Sequence, residues 1–137
     1  MATIKEDYVS FETANLLKEK GFNSEIDTYY SPEGEFCIWS PNERKSYLTN
    51  DGSETWWWKC IAPSQSMAMK WLREVHGLHI SLESGYDYDS MHVVFLAFVQ
   101  NVADVHEFMD GRKNVASYPN AEKSYELAIK YCLENSI

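Results

Sequence analysis

The sequence predicts an α+β fold: one domain over residues 1–137, with a mainly antiparallel sheet (a meander plus a long hairpin) packed by three helices. Three observations carry this. Apolar stripes of helical spacing, each with a capping residue, occur near the start, in the middle and at the end of the chain. Runs of β-branched and aromatic residues, separated by turn residues, fill the intervals. No internal repeat or low-complexity linker breaks the order helix, meander, helix, hairpin, helix, and 137 residues suit a single core.

The first helix is expected over residues 11–20, with Ser10 as N-cap and Ala14 and Leu17 on its buried face. Gly21 stands where a left-handed C-cap residue belongs, and Phe22 is placed to fold back on Leu17. The period then changes. Ile26–Tyr30 and Phe36–Trp39 read as strands around the turn Ser31-Pro32-Glu33-Gly34. Tyr47-Leu48 and Trp56–Ile61 read as two more, flanking Asn50-Asp51-Gly52.

In a strand over Trp56–Ile61, Trp56, Trp58 and Cys60 face one way and Trp57, Lys59 and Ile61 the other. Two readings stay open, a tryptophan cluster that closes the core and a face that stacks on a flat ligand or a partner. Ser64 caps the next helix, whose stripe is Met67, Ala68, Trp71, Leu72 and Val75, ending at Gly77. Leu78–Glu83 alternates as a half-buried strand, Ser84–Ser90 reads as a loop, and Met91–Gln100 is apolar on both faces, as a central strand is. Residues 101–119 show no sustained period, although Val102, Val105, Phe108 and Met109 suit one short helix. Asn120 caps the last helix, with Tyr125, Ala128, Ile129, Cys132 and Leu133 as its stripe.

A net charge of −9 argues against a broad basic footprint for nucleic acid. The three cysteines, widely spaced and outside any Cys-x-x-Cys pair, read as reduced thiols. With no apolar signal core in residues 1–7 and an apolar run, Val93–Val99, too short to span a bilayer, the expected location is the cytoplasm, with no membrane partner.

No catalytic or metal motif emerges. His76 and His79 straddle a helix end, His92 and His106 stand alone, and Asp87-Tyr88-Asp89 lacks an oxygen-ligand loop around it, so neither a metal nor a cofactor is expected. There is no nucleophile elbow and no glycine-rich phosphate loop, which weighs against an enzyme. The expected ligand-binding set is Trp57 and Lys59 from the tryptophan strand, Met69, Arg73 and His76 from the flank of the middle helix, and Arg44. A ring supplies stacking, and an arginine can grip an anion with two parallel hydrogen bonds.

Three blocks carry a resemblance. They are Ser10 to Phe22 with Tyr29-Tyr30, Ala62-Pro63-Ser64 leading to Trp71–Leu78, and Tyr125 to Glu134. In order and spacing they resemble a widespread group of small uncharacterised proteins encoded by phages and mobile elements of gut anaerobes. The resemblance implies a phage accessory protein, of a kind that often counters host defence, and assigns no activity, cofactor or catalytic residue.

The leading expectation is a non-enzymatic protein that sequesters a small anionic ligand, such as a nucleotide-derived immune signal, in a pocket completed by homo-oligomerisation. The alternative is an acidic protein-protein inhibitor that occupies a basic site on a host protein. A signal-degrading enzyme is the third.

Overall fold

In the computed structural model of the chain, residues 6–39, 49, 50 and 58–137 are described. The chain packs as two compact units, residues 1–64 and 65–137, each with its own three-stranded antiparallel sheet. The α+β class with antiparallel strands therefore holds. The single sheet expected from the sequence is replaced by two.

The first unit opens with α1 (Phe11–Glu19), capped by the Ser10 hydroxyl, which accepts from the Thr13 N–H. Its other end closes as the sequence dictates. Gly21, at φ 93°, lets its N–H reach the Lys18 carbonyl while the Phe22 N–H reaches that of Leu17. That pair of bonds is a Schellman cap, and it brings Phe22 and Leu17, both fully buried, together.

β1 (Thr28–Tyr30) and β2 (Phe36–Ile38) form a hairpin around the expected turn, where the Gly34 N–H donates to the Ser31 carbonyl at 2.9 Å. β3 (Cys60–Ile61) pairs with β1 rather than with β2, so the order of the described strands is β2-β1-β3 rather than that of a meander. Burial explains the order: Thr28 and Tyr30 are buried, as a central strand requires, while Phe36 and Ile38 are exposed. Of the expected tryptophan strand, Cys60 and Ile61 are the strand residues among those described, both fully buried, and Trp58 precedes them, buried too. Tyr47, Leu48, Asp51, Gly52, Trp56 and Trp57 lie outside the described residues.

The second unit begins with α2 (Gln65–His76). Its buried face is narrower than the expected stripe. Ala68 and Leu72 are fully buried, while Met67 and Val75 are exposed. Gln65 is also buried, its amide donating to the Glu122 carbonyl at 2.8 Å.

β4 (Leu78–Asp87) and β5 (His92–Asn101) are ten residues each and pair without interruption. Ser84–Asp87, expected in a loop, thus continue the strand, because Val93, Val94 and Phe95 stand opposite Tyr86, Gly85 and Ser84. The turn itself is held by Asp87. Its carboxylate accepts from the Asp89 N–H at 3.1 Å and from the Ser90 hydroxyl at 2.9 Å.

The segment that showed no period contains α3 (Val105–Met109) and β6 (Lys113–Tyr118), a strand the sequence did not reveal. β6 completes the order β4-β5-β6. α4 (Ala121–Asn135) is capped by the Asn120 side chain, accepting from the Lys123 N–H at 2.8 Å. Its buried stripe is Ala128, Ile129, Cys132 and Leu133 as expected, with Ser124 added and Tyr125 only half-buried. The helix packs on the sheet, where the Ser124 hydroxyl donates to the Phe95 carbonyl at 2.8 Å. Among the described residues no helix is long and apolar enough to cross a membrane.

Candidate functional site

A cleft of about 490 Å³ opens in the second unit where β4 starts, β5 ends and α4 finishes. Its position follows from Gly77. This residue, at φ 67°, turns the chain from α2 into β4, and a Cβ there would lie 2.3 Å from that of Ala103. Only glycine satisfies both demands. The Gly77 carbonyl then accepts from the Val102 N–H at 2.7 Å, which fixes the end of β5 beside the start of β4.

Beyond that point Asn101 organises the wall. Its side-chain oxygen accepts from the N–H groups of Ala103 and Asp104, both at 3.0 Å, and its amide donates to the Glu107 carboxylate. Asp104 caps α3 by accepting from the His106 and Glu107 N–H groups. Gly111, at φ 94°, turns the chain into β6.

The floor of the cleft is Leu78 and Val99, and the wall carries Asn101, Glu107, Asp110 and Gly111. Lys113, Tyr131 and Ser136 complete it. The Lys113 ammonium donates to the Tyr131 hydroxyl at 2.7 Å and stands 5.1 Å from the ring centre. Two carboxylates, one engaged lysine, an aromatic ring and an apolar floor therefore converge. The arrangement presents acceptors to a ligand's donor groups, with a ring for stacking.

The residues expected to bind are distributed differently. Trp57 and Arg44 lie outside the described residues. Lys59 belongs to the first unit, half-buried, its N–H donating to the Tyr30 carbonyl and its own carbonyl accepting from the Lys18 ammonium. Met69, Arg73 and His76 lie along α2 in the second unit, with Arg73 exposed and the other two half-buried. None of these three lines the cleft. The His76 ring meets that of Trp71 edge to face at 4.6 Å, and its buried Nε2 has no hydrogen-bond partner among the described residues.

The cleft residues escaped sequence reasoning because they come from four separate stretches of chain and share no motif. The one local signal was Asn101-x-x-Asp104 ahead of Val105, a loop and cap pattern that marks a built turn.

Burial pushes the Cys132 thiol up to about 12, so it stays protonated and unreactive at neutral pH. Among the described residues no group of three or more His, Cys, Asp or Glu side chains is placed to hold a metal ion. Comparison with protein families, curated proteins and solved structures found no match to this chain.

Proposed function

We propose that this chain is a non-enzymatic binding protein that takes a small organic ligand in the cleft of its second unit. The observation that carries this reading is the cleft itself, about 490 Å³ with an apolar floor and a polar rim, a size suited to a small molecule. Its chemistry narrows the class. Glu107 and Asp110 favour a ligand with amino or amide donors, Tyr131 favours a flat ring, and Lys113 supplies a single cation.

A nucleotide-derived signal, suggested by the resemblance to phage-encoded proteins, fits this reading through its base. Its exocyclic amino groups would meet the carboxylates, and one phosphate oxygen would meet Lys113. A ligand bearing several phosphates fits poorly beside two carboxylates.

The test is a thermal-shift panel of amino-substituted heterocycles, nucleosides, and linear and cyclic mono-, di- and trinucleotides, followed by calorimetry. A ligand at about a hundred times its dissociation constant adds roughly 2.7 kcal/mol to the folded state. Binding should be saturable, leave the ligand chemically intact on release, and weaken at least about tenfold in Asp110→Asn. A flat panel, or a hit indifferent to Asp110→Asn and Lys113→Ala, sinks the reading.

A second reading, docking on a basic protein surface, rests on the β4–β5 turn. Tyr86, Tyr88, Met91 and Val93 are exposed there beside Asp87 and Asp89, on a chain of net charge −9. A partner bound in this way should leave as salt rises and when Tyr88 and Met91 are replaced by serine.

A further inference from the structure

The two edges of the sheet in the second unit are built differently. β6 is six residues long, begins with Lys113, and shifts register against β5 between Ala97 and Phe98. Its Asn114 amide bonds to the carbonyls of Ala97 and Ala116. A short, basic, irregular edge discourages the addition of another strand.

β4 has none of these protections. It runs ten residues in unbroken register with β5, contains no lysine, arginine or proline, and lies at the end of the strand order. No described residue makes a backbone hydrogen bond to its outer side. In an antiparallel edge strand about half of the N–H and C=O groups point away from the sheet, so a long row of them stands ready for a partner.

We propose that the outer edge of β4 is a self-association surface, pairing antiparallel with β4 of a second copy of this chain about a two-fold axis at Ser81. The two sheets then become one of six strands.

The sequence of the strand selects both the occupant and the register. Leu78, Ile80 and Leu82 point to one face and His79, Ser81 and Glu83 to the other. With the axis at Ser81, Ile80 of each copy lies opposite Leu82 of the other, and His79 lies opposite Glu83. Across these central pairs apolar meets apolar and polar meets polar, Leu78 falls opposite Ser84, and no like charges are opposed, as a self-complementary interface requires. Moving the axis to Glu83 would set two carboxylates face to face. Glu83 is already oriented on that face by its ion pair with Arg112, whose guanidinium lies 4.0 Å over the Phe98 ring. Each copy carries a net charge of −9, so association should strengthen as salt screens the repulsion.

The experiment is a mass measurement by sedimentation or light scattering, with the full chain at moderate salt and over a wide concentration range. The expected mass at the upper end is twice 15.9 kDa. Ser81→Glu opposes two carboxylates at the axis and should yield a monomer with an unchanged circular dichroism spectrum, while Ser81→Thr should remain a dimer. Ser81→Cys should form a disulfide between copies under mild oxidation, and Ser84→Cys should not. Hydrogen exchange on the unmodified protein adds a readout independent of any variant: outward amides of β4 should become protected as concentration rises. A monomer at every concentration overturns the proposal. So does a dimer that Ser81→Glu leaves intact and Ser81→Cys fails to cross-link.

Discussion

Single residues hold this fold at places where backbone and packing demands coincide, and Gly77 is the sharpest case. Any Cβ there meets Ala103, and its φ of 67° is a region that other residues enter at a cost. Gly77→Ala should lower stability by about 1–3 kcal/mol, measured by urea unfolding. Ser124 is a second case, fully buried with its hydroxyl on the Phe95 carbonyl. Ser124→Ala should cost about 1 kcal/mol, since it leaves a carbonyl short of a partner.

Asp87 gives a pH signature. The Ser90 hydroxyl, then the Asp89 N–H, hold its carboxyl below the ordinary value of 3.8. Because the folded value is the lower one, the stabilisation is present above the ordinary carboxylate range and disappears as pH falls through the lowered value. Ser90→Ala should move the Asp87 titration, followed by NMR, back up toward 3.8.

At the scale of elements, what was legible in the sequence was what is decided locally. Ser10, Gly21 and Asn120 cap helices through bonds to residues within three or four positions, so their roles can be read from spacing alone. The α4 stripe was legible for the same reason. β6 was not, because within Lys113–Tyr118 only Ala116 is buried, and the strand exists through its pairing with β5. Nor was the order β2-β1-β3 legible, since alternation along a strand does not say which neighbour it joins. On α2 the apolar pattern overstated the buried face. Leu72→Ala should therefore cost about 2–5 kcal/mol. Val75→Lys, at a residue 61% exposed, should change stability by no more than about 0.5 kcal/mol in thermal or urea unfolding.

For the molecule as a whole, the division into residues 1–64 and 65–137 sets what can be separated. The second unit has its own sheet, two helices packed on it and a buried set that includes Leu72, Ile80, Val99, Ile129 and Leu133. Expressed alone, residues 65–137 should melt cooperatively by circular dichroism, at lower stability than the full chain, as expected for a core of that size. The cleft belongs to this whole-molecule scale. Its floor, wall and rim come from the open end of a hairpin, a short helix, a strand and a helix terminus. Residue type led instead to the tryptophans and to Arg73, where aromatic and cationic chemistry is concentrated in the sequence.

The contact between Gly77 and the 102–103 segment also has a mechanical side. The wall of the cleft, from Asn101 through α3, is anchored to the residue after α2 by one short hydrogen bond, from the Val102 N–H to the Gly77 carbonyl, and Ala103 lies so near that no Cβ fits at Gly77. The residue before Gly77 is His76, with its ring against Trp71. A ligand that draws α3 inward would strain this joint, and the Trp71 indole would report it as an optical signal. Difference fluorescence between the natural chain and Trp71→Phe, recorded during a ligand titration, should follow the filling of the cleft without any label.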